Sequence, residues 1–272
     1  SSAASDVYKR QDRQHANLPL QSTSFVAVRT LLISGASRGI GRAIAERFLA
    51  DGHRLSLGLR NLQALVGTPL DPAIAGADRV LLHPYDAEDP AAAEAWVEAS
   101  IEHFGGFDSV VHSAGIFSRA GVLFEPGQEE EINRTMAVNL MGPWWLTRAA
   151  WPQLAAHGEG RLQVLVSMSG KRSKGKLAAY SASKFALLGL CQTMRNEGWE
   201  AGIRVTAICP GWVNTDMAAA VRQGPSSRWP TQAMPAEEMT QPEDIASLCA
   251  ELLQLSNRAV PFEIALNCSL ER

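Results

Sequence analysis

Ser167-Met-Ser-Gly-Lys-Arg-Ser-Lys-Gly-Lys-Leu-Ala-Ala-Tyr180-Ser-Ala-Ser-Lys184 joins two elements whose type can be read directly. The apolar run Leu162-Gln-Val-Leu-Val166 precedes it and has the composition of a buried parallel strand. From Leu177 onward the apolar spacing and small residues predict a helix. Tyr180 and Lys184 are then one turn apart on the same helical face. Open parallel sheets build their sites outside the carboxyl ends of their strands, so Ser167 can face that pair. A phenol titrates near pH ~10, and a neighbouring ammonium lowers that value toward the range of efficient acid–base work. A hydroxyl, a phenol and an ammonium in one cleft can therefore hold an oxygen and exchange a proton with it. Taken alone, Tyr-x-x-x-Lys reads more readily as an exposed helical pair, so the rest of the chain must decide.

Working outward, strands and helices alternate. Arg29-Thr-Leu-Leu-Ile-Ser34 is a short apolar strand, followed at once by Gly35-Ala-Ser-Arg-Gly-Ile-Gly41 and a helix over Arg42–Asp51, stopped by Gly52. Glycines permit a tight turn and let backbone amides approach a pyrophosphate held against the positive helix end. The spacing is G-x-x-x-G-x-G, and its strand–turn–helix setting points to nucleotide binding. Further strands are predicted at His53–Leu59, Arg79–His83, Phe107–Ser113, Gly202–Cys209 and, at an edge, Val260–Leu266. Helices are predicted over Glu88–Phe104, over Gln128–Ala156 with a kink at Gly142-Pro143, and over Gln241–Leu255. The expected fold is α/β, a three-layer doubly wound Rossmann arrangement on a mainly parallel seven-stranded sheet.

Length and composition set bounds. A chain of 272 residues suits one large α/β domain, expected over residues 25–272. Residues 1–24, polar and without an apolar middle, read as a disordered leader that need not be native to the folded unit. A net charge of −3 gives no electrostatic case for nucleic acid, and no apolar run is long enough to span a membrane. Cys191, Cys209, Cys249 and Cys268 form no C-x-x-C pair, so no zinc site is expected; they read as reduced core thiols in a cytoplasmic protein.

With these residues in view, the chain from about Val26 to Leu266 resembles the short-chain dehydrogenase/reductase superfamily, in its compact one-domain branch. Ser34-Gly-Ala-Ser-Arg-Gly-Ile-Gly41 matches the family's cofactor loop, with Ser34 where threonine is usual. His112-Ser-Ala-Gly115 stands where Asn-Asn-Ala-Gly is typical, and Pro210-Gly-Trp-Val-Asn-Thr215 matches the turn that grips the nicotinamide. Asn139, Ser167, Tyr180 and Lys184 match the catalytic tetrad; Ser169 competes with Ser167 but sits two residues late. The resemblance implies that Tyr180 is the proton donor in carbonyl reduction and that Lys184 lowers its pKa and holds the nicotinamide ribose. Ser167 would orient the carbonyl, and Asn139 would anchor a water chain. Gly35, Ser37, Arg38, Gly39, Ile40 and Gly41 would line the cofactor loop, with Ala114 and Gly115 beyond them. Asp86 would meet adenine, and Pro210, Gly211, Val213 and Thr215 the nicotinamide.

Cofactor choice follows from charge. NAD binding in this fold needs a carboxylate near the end of the second strand, where Leu59 and Arg60 stand instead. Arg38 and Arg60, with no acid at that strand end, suit a 2′-phosphate, so NADP(H) is the expected cofactor. The substrate is expected to be a small carbonyl or alcohol compound. The alternative is a non-catalytic NADP(H)-sensing protein on the same scaffold, and a dehydratase or epimerase is a third reading.

Two departures bear on detail: Asn267-Cys268-Ser269 replaces the usual Asp-Gly-Gly, and His112-Ser113 replaces Asn-Asn. The segment from Trp212 to Thr240, with Met217, Trp229 and Met234, reads as a mobile lid that sets substrate choice. Lys171, Arg172, Lys174 and Lys176 form a basic loop that either attracts an anionic substrate or is simply solvated. Trp144, Trp145 and Trp151 lie on a helix that commonly packs against a second subunit in this family, which implies a homodimer or homotetramer.

Overall fold

The structure is a computed structural model that describes residues 27–173, 175–223, 235–269 and 271. The expected leader, Lys174, Trp229 and Met234 lie outside the described residues. Seven strands form one sheet: β1 (Thr30–Ser34), β2 (Arg54–Leu59), β3 (Val80–Pro84), β4 (Ser109–His112), β5 (Arg161–Leu165), β6 (Arg204–Pro210) and β7 (Glu263–Leu266). Their order is β3-β2-β1-β4-β5-β6-β7. Every pairing is parallel, the edge pair β6–β7 included, so the sheet goes further than the mainly parallel one expected.

The three layers follow from strand alternation. On β1, Leu31 and Ile33 point to one face, into a cluster with Phe48, Ile245 and Leu253 from helices α1 (Gly39–Ala50) and α8 (Pro242–Gln254). Leu32 points to the other, into a cluster with Trp96, Leu146 and Leu187 from α3 (Pro90–Phe104), α5 (Gly142–His157) and α6 (Ala178–Gly198). Both faces of the central strands are thus covered, which is why they read as unbroken apolar runs.

Several assignments differ from the sequence reading. Helix α1 begins at Gly39, inside the glycine turn, and not at Arg42, so Gly39, Ile40 and Gly41 form its first turn. The long helix is three pieces: α4 (Glu129–Met136), a π-helical turn over Ala137–Met141, and α5. Pro143 falls in the first turn of α5, where its missing N–H costs nothing, and the irregularity lies in the wider turn before it. Short helices α2 (Pro72–Ala75) and α7 (Asp216–Gln223) are additions; neither is long enough to show a clear period. Among the described residues no helix is long and apolar enough to cross a membrane.

β1 and β4 are neighbours, but the chain leaves them toward opposite edges of the sheet. The crevice above their carboxyl ends is where this topology leaves room for a ligand.

Candidate active site

The glycine turn is shaped by backbone crossing backbone. Gly35 has φ +73°, and a Cβ there would lie 2.7 Å from the Ala114 backbone after β4. A Cβ on Gly41 would overlap the Gly35 carbonyl oxygen. Ser34 ties the two strand ends together: its Oγ accepts the N–H groups of Ser113 and Ala114, each at 3.2 Å. Arg38 occupies the position that caps α1 but makes no side-chain cap hydrogen bond, so the first-turn amides are left to an outside acceptor. A cradle of close backbone, open amides and a positive helix end fits a pyrophosphate.

That cradle is one end of a cleft of about 740 Å³. The cleft gathers every residue expected there except Asn139: Gly35, Ser37, Arg38, Gly39, Ile40, Gly41, Arg60, Asp86, Ala114, Gly115, Ser167, Tyr180, Lys184, Pro210, Gly211, Val213 and Thr215 all line it. Beside that cradle, Arg60 is exposed and Arg38 lies 3.8 Å from Asp216 with both side chains about three-quarters exposed (74% and 76%). Asp216, which follows Thr215 directly, is a carboxylate the sequence reading overlooked.

At the other end, Ser167 sits just past β5 with φ 153° and ψ 156°, a backbone conformation rarely adopted outside glycine. Its Oγ accepts Ser169 N–H at 3.0 Å and lies beside the Tyr180 phenol, whose pKa it lowers. Tyr180 therefore meets Ser167, while Ser169 contributes its backbone. Phe117, a residue the sequence did not flag, packs on the Tyr180 ring with centroids 5.1 Å apart. Lys184 is buried, donates from Nζ to Leu165 O at 3.0 Å, and lies 5.9 Å from the centre of the Tyr180 ring.

The electrostatics differ in one respect from the expectation. Burial raises the Tyr180 pKa above that of a free phenol, and the Ser167 hydrogen bond pulls it part of the way back. Burial also brings Lys184 down to about 8. The ammonium is thus held on a backbone carbonyl, and the phenol is a firmly protonated donor.

Asn139 is fully buried in the π-helical turn. Its Oδ1 accepts Ile116 N–H at 2.8 Å, and its Nδ2 donates to Ile116 O and Ser183 Oγ at 2.9 and 3.0 Å. It clamps the segment after β4 to α6, so its contribution to the cleft wall comes through the residues it holds. His112 is likewise internal: Nε2 lies 2.9 Å from Thr147 Oγ1, and burial lowers its pKa to about 4, leaving it neutral.

The basic loop is partly spoken for. Lys171 pairs with Glu263 on β7, and Arg172 lies 4.0 Å from Glu271. Arg172 and Lys176 line the cleft, as do Arg119 and Met217. The segment after β7 turns back on itself, Glu271 N–H bonding Cys268 O at 3.0 Å, and lays the Glu271 carboxylate into the cleft wall beside Trp212.

The sequence model of the short chain dehydrogenase family matches residues 29–226. An agropine synthesis reductase from Rhizobium rhizogenes is 37% identical over 243 residues, 89% of this chain and 53% of that protein, so the chain spans about half the length of this curated relative. An alcohol dehydrogenase structure from the archaeon Thermococcus sibiricus, complexed with 5-hydroxy-NADP, superposes with a TM-score of 0.76 at 28% identity, covering 90% of this chain and 98% of that one. A variant of the actinorhodin polyketide ketoreductase with NADPH superposes with a TM-score of 0.77 at 27% identity, covering 90% and 98%.

Proposed function

The chain belongs to the short-chain dehydrogenase family, and on that premise we propose that it is an NADPH-dependent oxidoreductase that reduces a carbonyl, of ketone or 3-oxoacyl type, to an alcohol. One observation carries this reading: the Tyr180 phenol, beside Ser167, stands with buried Lys184 in the same cleft as the glycine cradle.

The backbone from Gly35 to Gly41, with Ser37, would hold the pyrophosphate against the start of α1. Arg38 and Arg60 would grip the 2′-phosphate, since Leu59 and Arg60 leave no acid to take a bare ribose. Asp86 would face adenine, and Ala114 and Gly115 would let the sugar approach the strand ends. The turn from Pro210 to Thr215 would receive the nicotinamide; it is braced by Thr240, which accepts Asn214 N–H at 2.9 Å and donates to Trp212 O at 3.2 Å. When bound, the nicotinamide supplies the hydride.

Ser167 would hold the carbonyl oxygen through the hydroxyl that now meets Tyr180. Tyr180, kept protonated by burial, would pass its phenolic proton to that oxygen, and in the reverse direction the phenolate would take it back. Lys184, a cation below its pKa of about 8, would steady the phenolate that forms and hold the nicotinamide ribose. Asn139 fixes the π-helical turn, where a water chain returning the proton would be anchored. Phe117 and Met217, at the same end, would pack the substrate's apolar part.

Exposed Trp144 on α5 and Phe185 on α6, 48% and 45% accessible, support a homodimer or homotetramer built on these helices. Residues 25–272 would act as one catalytic unit, with 1–24 outside it. Cys191, Cys209 and Cys249, buried thiols of the core, support a reducing, cytoplasmic setting.

The test is a panel of ketones, 3-oxoacyl thioesters and quinones with NADPH, followed by loss of nicotinamide absorbance. Turnover that drops roughly 10²-fold or more in Tyr180→Phe is expected. NADPH binding without turnover of any substrate would favour the sensor reading, and an undiminished Tyr180→Phe would remove the proton-donor role.

A further inference from the structure

Glu271 is a buried carboxylate in the cleft wall, its side chain only 5% exposed. Oε2 accepts the Trp212 N–H at 2.8 Å. Trp212 lies in the turn that runs from Pro210 to Thr215, and the neighbouring Gly211 is pressed against the same group. A Cβ at Gly211 would overlap Oε2 and lie 2.7 Å from the Glu271 Cδ. Gly211 N–H in turn bonds Leu266 O at 2.7 Å, so the end of β7 and the segment after it hold this turn from two sides. Across the cleft wall, Arg172 from the loop after β5 pairs with Oε1 at 4.0 Å. A carboxylate, with Arg172 as its cation, is therefore fixed next to the turn assigned above to the nicotinamide.

That placement has a chemical consequence. The oxidised nicotinamide ring carries a positive charge and the reduced ring none. A carboxylate held close by in a partly desolvated wall stabilises the first relative to the second. We propose that Glu271 is a positioning and selectivity residue that sets the turn at Gly211–Val213 and makes this cleft favour NADP⁺ over NADPH, so that the bound reduced cofactor is a stronger hydride donor. This rests on the NADP(H) reading above.

The experiment is equilibrium binding of NADP⁺ and of NADPH to the wild type, Glu271→Gln and Arg172→Gln, read by quenching of tryptophan fluorescence at one ionic strength. Glu271→Gln keeps a carbonyl acceptor for Trp212 N–H and removes the charge. It should weaken NADP⁺ by roughly three- to tenfold while leaving NADPH within about twofold. Arg172→Gln removes the opposing cation and should move the ratio the other way. A ratio of the two dissociation constants that is unchanged in both variants overturns the role of Glu271 and leaves the cofactor reading intact. A wild type that binds neither nucleotide overturns both.

Discussion

Lys184→Met separates what this side chain does for chemistry from what it does to stability. The ammonium is 5% exposed, and burial holds its pKa at about 8 against an ordinary 10.5. That difference corresponds to about 3 kcal/mol by which carrying the cation disfavours the folded state at neutral pH. Methionine has a similar length and no charge, so it removes this cost. It also leaves the Leu165 carbonyl without the donor it now has at 3.0 Å, a loss of about 1–2 kcal/mol. The expected net effect near pH 7 is a variant more stable by about 1–2 kcal/mol, or about 2–8 °C in Tm. The pH dependence carries the sign. A lysine depressed in the folded state disfavours folding fully below pH 8, and the cost is relieved as pH rises from 8 toward 10.5, where the native side chain loses its proton first. Urea unfolding of both proteins at pH 6.5, 8 and 10 should show an advantage for the variant that shrinks with pH, alongside lost reductase activity. A variant less stable at pH 6.5 by 2 kcal/mol or more, or a difference flat across pH, would refute the argument that Lys184 is a cation held against its solvation.

Other outcomes follow from the same geometry. Arg60→Asp and Arg38→Asp should each weaken NADPH by about tenfold or more and NADH much less, as fluorescence titration would show; equal losses would undo the 2′-phosphate assignment. Gly41→Ala should destabilise the fold by about 1–3 kcal/mol and abolish nucleotide binding, because its methyl group meets the Gly35 carbonyl; thermal melting and titration would check this. Turnover of a dilute anionic ketone should fall about two- to threefold between 50 and 300 mM salt, a modest slope because Lys171 is already paired with Glu263. A rate independent of salt would exclude steering by the basic loop.

Much of this molecule could be read along the chain. The strand runs, the glycine turn and the Ser167, Tyr180, Lys184 spacing are local patterns. Apolar periodicity records which faces are covered, and a four-residue step on a helix records which side chains share a face. These were enough to place the expected cleft-lining residues in one crevice and to order the sheet's alternation. Local pattern was less informative wherever backbone geometry depends on a distant partner. The π-helical turn around Asn139 is set by Ile116 and Ser183, more than twenty residues away in sequence, and the proline that suggested a kink merely follows it. The start of α1 inside the glycine turn depends on close passage of Ala114 from another strand.

Charge balance was the least legible of all, because pKa and pairing are set by burial and by through-space neighbours, which no spacing encodes. Sequence named a phenol and an ammonium for one cleft; the fold put the ammonium on the Leu165 carbonyl and buried the phenol, reversing the direction in which its pKa moves. Likewise Asp216 beside Arg38, and Glu271 against Trp212, enter the cleft only because separate segments converge at the carboxyl ends of the strands. The sequence by itself determined the alternation, the sheet class and the glycine, Ser, Tyr and Lys components of the cleft, since these rest on periodicity and residue type. Only the tertiary structure decided which carboxylate meets which cation and which group bears its proton, since those energies vary with distance and with the loss of water.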